Sequence, residues 1–375
     1  MDPSVESYPA APSAGIASVF QQKHLPALDG LRFIAVMLVI FDHGGIQHSG
    51  GDGVTYFFVL SGFLFSWLFS RQWEKEGSIS FRRYYWRRTM RIMPACYACI
   101  LFTIAGRLLL QNPVDYNHAL AAATYTANYY NALNDHPATG FSFFWSLAVE
   151  EQFYLIWPMV FVYGMTRGRQ TLIRILLLTI GAVCCWRSLL RLGFDVESPW
   201  LYNAFDTRID SIAIGCLLGM IIQEAWFQRF LKVATASVFF PILTIACVMG
   251  VHKLPEDFHY SVGFTIESFF IGLGLLQLLV LSRHKLWNWL NWKPIQFLGV
   301  LSYSMYLYHA WGLAVGWKFT MLPLTAQVLI GALATVVLAC FSYYLVELPF
   351  QRMRDRWEPK PQPITVPARG ANAIS

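Results

Sequence analysis

Residues 28–46 read LDGLRFIAVMLVIFDHGGI, an apolar run of membrane-crossing length that carries Arg32 near one end and Asp42 and His43 near the other. About 20 apolar residues span the hydrocarbon layer as a helix, so the stretch reads as a transmembrane helix. Ionisable groups in such a helix are costly and usually face a cavity or one another. The step from Arg32 to His43 covers three turns plus about 20° at about 100° per residue. Both side chains therefore share one helix face, roughly 16 Å apart at about 1.5 Å rise per residue. Asp42 points about 100° away from His43, and sequence neighbours do not face each other on a helix. A local account also exists: Arg32 can pair with Asp29 three residues earlier, and His43 can be an interfacial histidine at its helix end.

The rest of the chain repeats this apolar character. Of 375 residues, 56% are hydrophobic and 13% charged, with 14 Trp, 18 Tyr and 29 Phe, too apolar for a soluble domain of this length. Nine more segments read as crossings: 53–70, 92–111, 148–166, 172–190, 207–224, 233–251, 262–281, 297–317 and 324–346. The shorter, Tyr- and Asn-rich piece 118–133 reads as interfacial. The net charge of +6 does not indicate nucleic acid, because the basic residues cluster between apolar runs. Segment 71–91 holds seven Arg or Lys, whereas Arg191, Lys253 and Lys318 are the basic residues between spans on the opposite side. By the positive-inside rule both termini are cytoplasmic. The predicted fold is an all-α integral membrane protein with about ten helices in one bundle (25–356), flanked by disordered cytoplasmic tails at 1–24 and 357–375. Residues 1–24 lack the apolar core of a secretory signal peptide. Cys96 and Cys99 form a CxxC without a second pair or a ligating His, which reads as packing and predicts no metal.

Several constellations carry chemistry. In FRRYYWRRTMRIMP (81–94), Arg82, Arg83 and Arg87 read as headgroup anchors. Arg88 and Arg91 stack two guanidiniums on one face at i, i+3 spacing, a geometry suited to phosphate oxygens. In FWSLAVEEQFYLIWP (144–158), Glu150 and Glu151 fall at a helix start where Ser146 could cap and the dipole favours carboxylates. Two adjacent carboxylates cannot share that face, so one turns into the bundle, where it could orient a histidine or take a proton. DTRIDSIAIG (206–215) holds Asp206, Arg208 and Asp210, either a self-satisfied ion cluster or an acceptor site. LSYSMYLYH (301–309) is a polar aromatic stripe ending in His309, and Ser61 and Gly62 suit close helix contact.

In this order the pieces resemble the membrane acyltransferase-3 family, which includes bacterial O-acetyltransferases of lipopolysaccharide and nodulation-factor sugars. The resemblance covers about residues 25–356. It rests on Arg32 and His43 with ten residues between, FFVLSGFL (57–64), Arg88-x-x-Arg91, WSLAVEEQFY (145–154), RID (208–210), SYSMYLYH (302–309) and VELPFQRMR (346–354). Thr55 departs from the acidic residue that many members carry there, and Asp42 is also atypical. Nothing sizeable follows residue 358, so no fused extracytoplasmic hydrolase-like domain is expected.

The resemblance implies a multi-pass protein of the bacterial inner membrane. It would move an acyl group from cytosolic acetyl-CoA or another acyl-CoA to a hydroxyl, most often on a cell-envelope glycan, without a metal. It marks His43 as essential and Arg32, Arg88 and Arg91 as needed for activity. The sequence reading makes His43 the general base, oriented by Glu150 or Glu151, with acyl-CoA on Arg32, Arg88 and Arg91. Asp42, Arg208, Asp210 and His309 are placed on the acceptor side. Rival readings are acylation of a secreted metabolite such as a macrolide, a transporter of lipid-linked sugars, and a catalytically idle scaffold. The absence of an internal repeat weighs against the transporter.

Overall fold

A computed structural model describes residues 16–22, 25–46 and 51–358, and within them every regular element is helical. Ten helices fall on the ten segments read from the sequence. They are α1 (Pro26–His43), α2 (Asp52–Glu76), α3 (Phe81–Leu109), α4 (Phe144–Thr166), α5 (Arg169–Ser188), α6 (Phe205–Ile221), α7 (Phe240–Val251), α8 (Phe264–Leu281), α9 (Ser302–Gly316) and α10 (Leu324–Ser342). Five helical stretches are long and apolar enough to cross a membrane: Gly53–Glu76, Phe81–Leu109, Arg169–Gly193, Glu256–Leu281 and Leu324–Arg356. The polar piece 118–133 forms two short helices, Tyr116–Ala123 and Ala127–Leu133.

Local chemistry explains the boundaries. α1 begins at Pro26, whose missing N–H would have been unpaired at a helix start anyway. α3 begins eleven residues before its expected start, where the Ser80 hydroxyl accepts from the Arg83 N–H. The basic aromatic stretch 81–91 is thus the first three turns of a membrane helix, and not a separate interfacial piece. α4 begins at Phe144 instead of 148, which moves Glu150 and Glu151 out of the first turn. The Ser146 cap and the dipole argument for those glutamates therefore fail.

Burial separates central helices from lipid-facing ones. The most apolar window of Gly53–Glu76 is 72% buried, against 22% for Arg169–Gly193. Leu101, Phe102, Leu108 and Leu109 of α3 are exposed, an arrangement suited to a hydrocarbon solvent. α2 lies against α6 at backbone distance: a Cβ at Gly62 would collide with the Ile212 carbonyl oxygen, and one at Gly215 with that of Val59. This is small-residue packing of the membrane type. Either Gly62→Val or Gly215→Val should force the pair apart and lower the folded yield; a wild-type gel-filtration profile in detergent for both would contradict the packing.

The tails lie largely outside the described residues, with one correction. Residues Ile16–Phe20, read from the sequence as part of a disordered tail, form a helical turn docked on α2. Phe20 is buried beside Phe63, and its carbonyl accepts from Trp67 Nε1 at 3.2 Å.

Candidate active site

A cavity of about 460 Å³ opens between α1, α2, α3, α4 and α9. Its apolar wall includes Phe57, Phe58, Leu64 and Phe65, and six arginines line it: Arg32, Arg83, Arg87, Arg88, Arg91 and Arg354. Five of these already have carboxylate partners. Arg32 Nη1 lies 3.0 Å from Asp29 Oδ1, the local pair foreseen from the sequence. Glu358 bonds Arg83 and, at 2.7 Å, Arg87. Arg354 meets Asp355 at 2.8 Å. Arg88 donates through Nη2 at 2.7 Å and Nε at 3.1 Å to Glu151, with its guanidinium against the Tyr154 and Phe65 rings.

Arg91 differs. Among the described residues no carboxylate lies within ion-pair distance of its guanidinium, and its side chain is exposed to the cavity. An anion entering here gains most from the cation whose charge is not already matched. The sequence reading treated Arg88 and Arg91 as equivalent; the structure brings both to one cavity but gives them different surroundings.

The glutamates also differ from expectation. Glu151 is bonded to Arg88, and Glu150 Oε1 accepts from the Ser61 hydroxyl at 2.8 Å. Both line the cavity, whereas the ring of His43 meets His309. The orienting role assigned to them from the sequence is corrected on geometry, because the ring partner of His43 comes from a helix 266 residues away.

That partner is His309. His43 Nδ1 stands 2.6 Å from His309 Nε2, with the ring planes 26° apart and 4.8 Å between centroids, so the rings meet edge to edge. His309, on α9, is 1% exposed and its Nδ1 bonds the Tyr306 carbonyl oxygen, whereas His43 at the end of α1 is exposed. Neither histidine lines the cavity, but Tyr306 touches both regions. Its ring is 5.4 Å from that of His309, and its hydroxyl is 2.5 Å from the Ser146 hydroxyl and 2.8 Å from the Phe143 carbonyl.

The acceptor-side cluster is rearranged. Asp210 does not close an ion cluster with Arg208. It pairs with Arg187 of α5 at 3.0 Å, both groups fully buried, and Arg187 also donates to the Thr207 and Ser261 carbonyls and to Thr265. Asp206 accepts from Trp186 Nε1 at 2.8 Å. Arg208 lies 3.8 Å from the Phe264 ring and donates to Thr55 Oγ1 at 2.9 Å, while its Nε and Nη1 make no hydrogen bond among the described residues. An acidic residue at position 55 would pair with it directly; here Glu267 of α8 supplies the main opposite charge. The ligand-type atoms of Glu267, His252 and His259 lie within 4.8 Å of one another. Sequence reasoning missed this group because its members come from three places, the end of α7, the π-turn His259–Gly263 and α8. It also missed Arg187 and the pairing of His43 with His309.

Comparison with known proteins bears on the same residues. An acyltransferase domain family matches residues 25–345. The chain is 30% identical over 360 residues to YrhL of Bacillus subtilis, covering 88% of this chain and 55% of that protein. It is 27% identical over 367 residues to the O-acetyltransferase OatA of Staphylococcus aureus, covering 90% and 59%. It is 28% identical over 372 residues to the peptidoglycan O-acetyltransferase OatA of Listeria monocytogenes, covering 89% and 57%. The chain thus spans a little over half the length of these relatives. No solved structure matches. With the family matched across most of its length and its helices apolar enough for a bilayer, the chain belongs to the membrane acyltransferase-3 family.

Proposed function

We propose that this protein is a multi-pass O-acetyltransferase that moves an acetyl group from cytosolic acetyl-CoA to a hydroxyl of a cell-envelope glycan, peptidoglycan being the first candidate. In this reading the ten helices cross the inner membrane, both termini are cytoplasmic, and the arginine-lined end of the cavity faces the cytosol. One observation carries it: among the described residues, one guanidinium of an apolar-walled cavity, Arg91, has no carboxylate within ion-pair distance, and a residue of its wall, Tyr306, touches a histidine pair whose outer member is exposed. The names of the relatives, O-acetyltransferases including one of peptidoglycan, support the glycan acceptor.

The chemistry divides between the two regions. Arg91 binds the donor's diphosphate, with Arg88 held by Glu151 as part of the wall. A cavity of about 460 Å³ suits the thioester arm rather than a whole nucleotide, within the roughly 300–1,000 Å³ usual for ligand sites. His43 removes the proton of the acceptor hydroxyl, whose oxygen attacks the thioester carbonyl carbon. The carbon–sulfur bond breaks, and the departing thiolate takes up the proton that His43 removed, which restores the neutral imidazole. The apolar wall limits hydrolysis of the thioester by excluding water.

Incubating the purified protein in detergent with labelled acetyl-CoA and peptidoglycan fragments tests this directly; absence of an O-acetyl ester on the fragments, with the protein folded, would reject it. Arg91→Ala should raise the donor KM by about 10- to 100-fold, since hydrogen bonds to charged groups are worth about 1.5–3 kcal/mol. Arg91→Lys should recover part of that loss. An unchanged donor KM in Arg91→Ala would return Arg91 to lipid anchoring.

A further inference from the structure

We infer that His309 is a positioning residue for His43: it holds the outer histidine as its Nδ1–H tautomer and leaves Nε2 as the basic nitrogen. The inference rests on the proposed base role of His43 only for its effect on rate; the tautomer itself follows from hydrogen-bond direction.

A carbonyl oxygen can only accept. The bond between His309 Nδ1 and the Tyr306 carbonyl therefore places a proton on that nitrogen. His309 is 1% exposed, and no carboxylate is among its hydrogen-bond partners. Protonating both of its nitrogens would bury an uncompensated cation, which is strongly unfavourable. His309 is accordingly neutral, and its Nε2 carries a lone pair. The contact of 2.6 Å with His43 Nδ1 then requires the proton to sit on His43. With Nδ1 committed as donor, His43 Nε2 holds the remaining lone pair, and fixing a tautomer through the other ring nitrogen is how a histidine's function is commonly set. The chain of dependence runs from a backbone carbonyl through a buried imidazole to the exposed one. Aromatic contacts hold the inner ring: Phe143 stands 5.0 Å from His309 and Tyr306 5.4 Å, centroid to centroid.

The arrangement also explains why the inner residue is a histidine. It must donate to one oxygen and accept from one N–H, in a rigid planar frame. Glutamine can do both, through its amide N–H and its oxygen, though with more freedom; leucine can do neither.

The test uses the full-length protein in detergent, with ¹⁵N-labelled histidine and the His43 signals assigned by their loss in His43→Ala. In the wild type His43 should show one protonated Nδ1 and one unprotonated Nε2. His309→Gln should keep that pattern and retain transfer within about tenfold. His309→Leu should lose the single tautomer and lower kcat by about 10²- to 10⁴-fold, with the donor KM unchanged; a wrong tautomer in a catalytic triad costs about 10⁴. A wild-type His43 carrying its proton on Nε2 would overturn the inference, as would an unaltered tautomer in a folded His309→Leu protein. If the spectra follow expectation but His43→Ala remains active, the tautomer assignment stands and the base assignment of His43 falls.

Discussion

Replacing His43 with alanine is expected to lower acetyl transfer by about 10²- to 10⁴-fold, the usual contribution of a positioned general base, while the protein still inserts and folds. His43 sits at the exposed end of α1 and its side chain bonds His309, so its removal should leave the helix packing intact. The loss should fall on kcat. His43 is not among the residues that line the cavity with Arg91, so the KM for acetyl-CoA should stay within about twofold on the usual independence of separated sites. His43→Gln should be nearly as impaired, because an amide cannot take up a proton at neutral pH. A His43→Ala protein that transfers acetyl groups at the wild-type rate would move the base elsewhere.

The second large effect lies away from the chemistry. Asp210→Ala should destabilise the protein by about 3–5 kcal/mol, the cost of stranding one member of a buried ion pair. Arg187 and Asp210 are both fully buried, and the Arg187 guanidinium ties α5 to α6 and to the turn at Ser261. Removing the carboxylate leaves that guanidinium charged in a medium that cannot solvate it. The double variant Arg187→Met/Asp210→Leu should recover most of the loss, since replacing a whole buried pair by apolar side chains is often neutral. Thermal unfolding in one detergent would compare the three proteins; a melting temperature for Asp210→Ala equal to that of the wild type would show the pair to be dispensable.

Hydropathy located helical segments, five of them in stretches long and apolar enough to cross a membrane, because the requirement for about 20 apolar residues per crossing is written locally. The local pair of Arg32 with Asp29 was legible because helix spacing needs no knowledge of a distant partner. What could not be read were partners distant in sequence. Asp210 looked self-sufficient beside Arg208, yet its cation comes from α5. Glu151 looked like a partner for a histidine, yet α3 delivers Arg88 to it. His309 looked like part of a packing stripe and proves to touch His43. Helix starts were misread where polar or basic residues open a membrane helix, at Phe81 and Phe144, because a hydropathy window discounts residues that a cap or a cavity wall accommodates.

The contact of α2 with α6, backbone on backbone at Gly62 and Gly215, has a mechanical consequence. Where the two backbones touch, no side chain can yield to let the helices slide, so Ser61, Glu150's hydroxyl partner, and Thr55, which accepts from Arg208 of α6, ride on one body. The wall between the cavity and the histidines is held differently, by the Tyr306 hydroxyl meeting Ser146 and the Phe143 carbonyl. Two hydroxyl bonds exchange far more readily than a backbone seam parts. The Tyr306 hydroxyl contacts are therefore the more easily parted of the two, and the α2–α6 seam the firmer.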